Sequence, residues 1–117
     1  MLESIDQQIE IVELSREMAQ EAVELTHALD RITASPDWKL LIDETYFKEH
    51  TCNLVINKSH PAAETPERQA AIIKAIDSVG EFYQFLNKIQ VKGEQAKQAI
   101  IDSETALEEL RKESMEA

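Results

Sequence analysis

The chain has 117 residues, with 23 acidic against 12 basic side chains and a net charge of −11. This charge argues against direct binding to nucleic acid or anionic lipid, and no apolar run is long enough to span a membrane. Only two Gly and three Pro interrupt a composition rich in helix formers, so a single all-α domain over residues 1–117 is expected. A lone Cys argues against an internal disulfide.

Capping residues predict where the helices begin. Ser4 and Gln7 have the spacing of a capping box at the first helix. Ser35 and Thr65 each precede a proline, which is the pattern of an N-cap followed by proline at the first helical position. The sequence therefore predicts three helices, at about 4–33, 36–58 and 66–113.

The first helix carries two apolar stripes. One contains Ile11, Leu14, Met18, Ala22, Leu25, Leu29 and Ile32, and the other contains Ile5, Ile9, Val12, Ala19 and Val23. A helix with a single neighbour needs only one narrow stripe, so this helix is predicted to have two neighbours.

The second helix also has two apolar faces. Packing an antiparallel hairpin of the second and third helices would place Phe47 level with Phe82, and a single aromatic core is then expected. Because acidic residues surround the aromatic ones, the cluster is not expected to be a platform on which nucleic-acid bases stack. The predicted core is Trp38, Tyr46, Phe47, Phe82 and Tyr83, and the predicted faces are Trp38, Leu41, Ile42, Thr45, Cys52 and Ile56 against Leu40, Phe47 and Leu54.

The third helix has the heptad pattern of a coiled coil. Its seam consists of Ile72, Val79, Leu86, Gly93, Ile100 and Leu107, with Ala75, Phe82, Ile89, Ala96, Ser103 and Leu110. Gly93 and Ala96 narrow the seam, which permits close backbone approach or a bend. The helix is about twice as long as the second one, so an up-down-up bundle is predicted to cover it only to about residue 89.

Two arrangements would cover the remaining seam. The chain breaks at Gly93 and folds back as a fourth helix, or another subunit or protein packs there. The second is favoured, because the stretch VKGEQAK contains no second turn residue. Residues 90–113 are then a protruding interaction arm, and the residues predicted to contact the partner are Gly93, Ala96, Ile100, Ile101, Leu107, Leu110, Ile5 and Ile9.

No motif indicates catalysis or ligand binding. The chain has no Gly-rich phosphate loop and no G-x-S-x-G. His50 and Cys52 lie on opposite sides of a helix, and the Glu-x-x-His at 24–27 has no second copy, so neither predicts a metal site. The chain is expected not to be an enzyme, with no catalytic residue, cofactor, metal or small-molecule substrate.

Three stretches resemble small helical proteins of tailed bacteriophages that are encoded among virion structural and assembly genes. They are DWKLLIDETYFKEHTCNLV, PERQAAIIKAIDSVGEFYQFL and ETALEELRKE, and the resemblance covers about residues 10–113. It implies a virion-associated or assembly role, in the virion or in the host cytoplasm during assembly. Together with the uncovered seam, it favours as partners the chain itself, as a homo-oligomer, and/or larger phage structural proteins.

The acidic charge supports an alternative function. A chain with net charge −11 could act as an inhibitor that occupies a basic groove of a host or phage nucleic-acid-binding protein. Such binding would weaken steeply with salt, whereas docking through an apolar seam would tolerate it.

Overall fold

A computed structural model describes residues 4–116, which are helical apart from short connections and include no strand. Helix α1 spans Ile5–Thr33. Helix α2 (Pro36–Trp38) continues into a π-helical segment (Lys39–His50) and then into α3 (Thr51–Lys58). A 3-10 turn (Pro61–Ala63) leads to α4, Pro66–Glu116. The all-α class and the three predicted helical stretches are confirmed, whereas a break at Gly93 is not found because α4 is continuous there.

The predicted N-caps are all formed. Ser4 Oγ accepts from the Gln7 backbone N–H at 3.1 Å while Gln7 Oε1 accepts from the Ser4 N–H at 3.1 Å, which is the reciprocal capping box. The Ser35 and Thr65 hydroxyls each accept from the backbone N–H three residues on, at 3.2 and 3.3 Å. Each bond satisfies a donor that the first turn of a helix otherwise leaves unpaired.

The chain divides into two compact units. The two-helix unit combines residues 4–28 of α1 with residues 89–116 of α4. The three-helix unit comprises residues 29–88, which contain the end of α1, the helical stretch from α2 to α3, and the first part of α4.

The three-helix unit contains the predicted aromatic core. Phe47 and Phe82 stack with ring centroids 5.7 Å apart and an interplanar angle of 17°. Tyr46 approaches Phe82 edge-on at 5.8 Å, and Trp38 lies 6.5 Å from Phe82. Tyr83 lies 5.7 Å from Phe47 but is 57% exposed, so it borders the aromatic core and its predicted burial is wrong. The antiparallel hairpin therefore brings the two aromatic clusters of the sequence together, as predicted.

The π-helical segment corrects the faces predicted for the second helix. Trp38 and Ile42 are half-buried together with Phe47 and Leu54, although the sequence pattern predicts the two pairs on opposite faces of the helix. In a π-helix each N–H bonds to the carbonyl five residues earlier, so residues four and five apart align along one side. Thr45 shows this spacing, since its hydroxyl donates to the Leu40 carbonyl at 2.7 Å. The side chains turned outward are Leu40, Leu41, Cys52, Val55 and Ile56.

The two-helix unit is an antiparallel pair. Thr26 of α1 lies against Gly93 of α4, and Arg16 pairs with Glu104 at 3.1 Å. Residue numbers thus fall along α1 as they rise along α4, so the two helices run in opposite directions.

This pairing covers the part of the α4 seam beyond residue 89, for which an external partner is predicted. Leu107 is 1% exposed and Ala96 is 6% exposed, both within the single chain. The prediction that nothing in this chain covers residues 90–113 is therefore wrong. Small side chains at Ala19, Ala96 and Gly93 allow α1 to approach α4 closely, so the N-terminal half of α1 packs where an external partner was expected.

Candidate functional site

The structure distributes the predicted interaction residues between the interior of the two-helix unit and its surface. Ile101 is the exposed one, at 57%. Gly93, Ala96 and Leu107 are buried, and Ile5, Ile9, Ile100 and Leu110 are half-buried. Seven of the eight are therefore wholly or partly covered within the chain.

A different apolar surface is open in the two-helix unit. Ile11, Leu14, Met18 and Leu25 are between 52% and 63% exposed, and we call them the outer stripe. Ile11, Met18 and Leu25 recur every seven residues, which at about 100° per residue places them along one line of the helix. The other stripe of α1, which includes Val12, Ala19 and Val23, faces inward, and we call it the inner stripe. Of the two neighbours predicted for α1, the unit supplies α4 for one stripe only.

A groove runs beside the outer stripe between the two helices. Ile11 and Val12 of α1 and Ala106 and Leu110 of α4 line its apolar floor. Gln8, Glu109 and Glu113 complete its wall. The small side chain at Ala106 leaves this side of the helix pair unfilled, and the groove adjoins the outer stripe at Ile11, which belongs to both.

Acidic side chains border this surface. Glu10, Glu17 and Glu24 recur every seven residues along α1, about 80–120° round the helix from Met18, and all three are exposed. Glu109 and Glu113 are exposed on the α4 side. Among residues 4–116 none of these five carboxylates forms a salt bridge within the chain.

The opposite edge of the helix pair differs in its electrostatics. There Arg16 pairs with Glu104 at 3.1 Å, and Arg111 pairs with Glu13 at 3.5 Å. These ion pairs bridge α1 and α4 and neutralise two of the acids on that edge. We use the name acid-rimmed groove for the outer stripe, the apolar floor and the five free carboxylates together. Glu109 and Glu113 border the floor, whereas Glu10, Glu17 and Glu24 lie on the far side of the outer stripe from it.

The polar groups near the loop of the three-helix unit are engaged by the backbone. His60 Nδ1 accepts from the Ala62 N–H at 2.9 Å, and Arg68 donates to the Ala62 carbonyl at 2.6 Å. They line a cavity with Asn57 and Ile72, but their bonds fix the loop. In the π-helical segment, Lys48 Nζ donates a hydrogen bond to the Glu44 carboxylate at 2.9 Å, and this bond raises the pKa of Lys48.

The described part of the chain offers no metal centre or membrane span. Residues 4–116 contain no group of three His, Cys, Asp or Glu side chains placed to hold a metal ion. None of their helices is long and apolar enough to cross a bilayer.

Comparisons with known proteins identify no relative. No family model, no curated protein and no solved structure matches this chain significantly. The acid-rimmed groove is accordingly the candidate site on the strength of its own geometry. Two signals in the sequence point to it. The α1 helix has two apolar stripes, one more than a single neighbour covers, and glutamate recurs every seven residues beside the outer stripe.

Proposed function

We propose that this chain is a non-enzymatic assembly protein of a tailed bacteriophage, which acts by docking on a larger phage structural protein. The observation that supports the proposal best is the outer stripe. Its four large aliphatic side chains face solvent although the chain's own helix pair is already closed by the inner stripe. The phage assignment comes from the sequence resemblance.

Covering the outer stripe would supply part of the energy of docking. Its four side chains are a little over half exposed, so burying the exposed part contributes roughly 3–7 kcal/mol, before the ordering cost that offsets much of it. A contiguous apolar surface with a polar border is also the usual composition of a protein interface.

Two predictions from the sequence, the order of the helices and the protruding arm, bear on this proposal in different ways. The up-down-up order of the helices stays a prediction. Residues 90–113 do not enter it as a protruding arm, because they pack against residues 4–28 and the docking surface moves to α1.

Site-specific photo-crosslinking tests the proposal. A photoreactive amino acid at position 18 is expected to capture one virion structural or assembly protein in phage-infected cells, identified by mass spectrometry. The matched control carries the same group at position 20, where the exposed Gln20 lies about 200° round the helix. Equal crosslinking from both positions, or none from position 18, would rule out docking through the outer stripe.

The rows of free carboxylates favour the acidic-inhibitor alternative. In that case Glu10, Glu17 and Glu24 would supply the binding energy and the outer stripe would be incidental. Changing Met18→Asp would leave such an inhibitor as active or make it stronger, because it adds negative charge. The docking proposal requires the same change to abolish binding.

A further inference from the structure

We propose that residues 39–50 form a switch between two helical registers, which holds Trp38 against Phe82 in the π-helical state and releases it to the surface in an α-helical state. In the second state Leu40 takes the inward position that Trp38 leaves. The inference concerns the three-helix unit and does not depend on docking through the outer stripe. It follows from the length of the π-helical segment and from the side chains that face Phe82.

The length of the π-helical segment is unusual. It runs for 12 residues, whereas π-helical geometry normally occurs as a single turn within an α-helix, frequently at a functional site. α-Helical residues flank it on both sides. A π-helical stretch of this length therefore needs side-chain contacts that α-helical winding would not provide.

Trp38 supplies such a contact. Its ring lies 6.5 Å from the ring of Phe82, and the ring of Phe47 stacks on Phe82 at 5.7 Å. In an α-helix two residues nine apart point in opposite directions, because nine steps of about 100° amount to two and a half turns. α-Helical winding between Trp38 and Phe47 would thus turn one of the two rings away from Phe82, whereas the π-helical winding lets both reach it.

Two threonines support the π-helical winding. The Thr45 hydroxyl donates to the Leu40 carbonyl at 2.7 Å, and the Thr51 hydroxyl donates to the Tyr46 carbonyl at 3.4 Å. Both acceptors lie five residues earlier, which is the spacing of the backbone bonds in a π-helix. A threonine in an α-helix bonds instead to the carbonyl three or four residues earlier. These two side-chain bonds are therefore made in the π-helical state and not in the α-helical one.

Leu40 is the side chain that α-helical winding would bury. Leu40, Phe47 and Leu54 recur every seven residues, so an α-helix aligns them along one side. Phe47 and Leu54 are half-buried, but Leu40 is 63% exposed because the π-helical winding displaces it from that line. Conversion to the α-helix would bury Leu40 and expose Trp38, which exchanges one large apolar side chain for another.

The N-terminal end of the segment is the less restrained one. The end of α3 is tied to α4, because Gln69 Nε2 donates to the Lys58 carbonyl at 2.7 Å. Trp38 belongs to α2, which has only three residues and follows the Ser35 cap. Conversion would therefore rotate Trp38 outward while the Phe47 ring keeps its place. Because tryptophan is enriched among the residues that anchor protein interfaces, its release would give the three-helix unit a binding side chain.

NMR on the intact, isotope-labelled protein tests the inference, through scalar couplings that connect an amide nitrogen to the carbonyl carbon of its hydrogen-bond acceptor. In the native protein the amides of residues 45–50 should couple to the carbonyls five residues earlier. The double change Thr45→Ala with Thr51→Ala removes the two hydroxyl bonds and adds the residue that favours the α-helix most. It should move these couplings to the carbonyls four residues earlier and shift the Trp38 fluorescence to longer wavelength.

A further substitution shows whether Leu40 replaces Trp38. Leu40→Gln, added to the threonine double variant, should restore the five-residue couplings and the native fluorescence, because burying a glutamine without hydrogen-bond partners is unfavourable. Leu41→Gln is the matched control. Leu41 is 62% exposed but lies off the line of Phe47 and Leu54, so Leu41→Gln should leave the α-helical state of the double variant unchanged.

Three results would overturn the inference. Four-residue couplings in the native protein would show that no π-helical register exists to be switched. Five-residue couplings and native Trp38 fluorescence in the threonine double variant would show that the segment has one fixed register. Equal effects of Leu40→Gln and Leu41→Gln would show that Leu40 does not take the place of Trp38.

Discussion

Thr26 and Gly93 touch across the antiparallel pair of α1 and α4, in a contact that leaves no room for a side chain on the glycine. Thr26 is completely buried, and its hydroxyl lies 3.0 Å from the Ile89 carbonyl and 3.1 Å from the Ala22 carbonyl. A Cβ built on Gly93 would collide with Thr26 Oγ1 and lie 2.7 Å from Thr26 Cβ. The close approach of the two helices therefore depends on glycine at this position.

Adding a methyl group at Gly93 should destabilise the chain. Gly→Ala within a helix normally stabilises by about 0.5–1 kcal/mol, but overpacking at Thr26 should outweigh this and leave a net loss of about 1–2 kcal/mol. Gly80→Ala is the matched control, because a Cβ there meets nothing within 4 Å. Gly80→Ala should raise the free energy of unfolding, measured by urea denaturation. A stabilising Gly93→Ala would refute the close contact.

Truncation of Leu107 should show that the seam is covered within one chain. Leu107→Ala should lower the free energy of unfolding by about 2–5 kcal/mol, since the side chain is fully buried. Ile101→Ala, at the exposed neighbouring position, should change it by about 0.5 kcal/mol or less. The Leu107→Ala loss should be the same at low and high protein concentration. A loss that varies with concentration would mean that another molecule covers the seam.

The aromatic core makes Phe82 and Phe85 unequal despite their identical chemistry. Phe82 contacts Trp38 and Phe47, whereas Phe85 is largely exposed. Phe82→Ala should cost about 2–4 kcal/mol and shift the Trp38 fluorescence to longer wavelength. Phe85→Ala should leave the emission unchanged. Identical spectra for the two variants would contradict the predicted stacking across the hairpin.

Replacing Arg16 should strengthen the helix pair. Its Nε is buried without a hydrogen-bond partner, while its other end pairs with the half-exposed Glu104. Arg16→Met should raise the free energy of unfolding by about 1 kcal/mol, because an unsatisfied buried donor costs more than a solvated ion pair contributes. Arg111→Met also removes an ion pair but no buried unpaired nitrogen, so it should lower the free energy of unfolding slightly. Loss of stability in Arg16→Met would show that the ion pair dominates.

Much of the fold follows from local signals in the sequence. Ser4, Ser35 and Thr65 fixed the helix starts because capping depends on residues within one turn. The match of Phe47 with Phe82 followed from a short loop and a constant rise per residue. These inferences needed no knowledge of distant contacts.

The remainder depended on information that local patterns do not contain. The π-helical hydrogen bonds of residues 39–50 change which side chains align, and the sequence has no composition that distinguishes them from α-helical ones. The pairing of α1 with residues 89–116 is a long-range choice between two stripes of similar hydrophobicity. As a result, the seam of residues 90–113, with Ile5 and Ile9 of α1, was predicted to need an external partner, whereas the outer stripe is the surface left open.

The central claim is that this chain closes its inner seam by itself and leaves the outer stripe open for a different protein. Light scattering on a sizing column, at low and high protein concentration, tests it most directly. The predicted result is a mass of 13.3 kDa at both concentrations, for the native chain and for Met18→Asp alike. A native dimer that dissociates in Met18→Asp would contradict the claim, because the outer stripe would then be covered by a second copy.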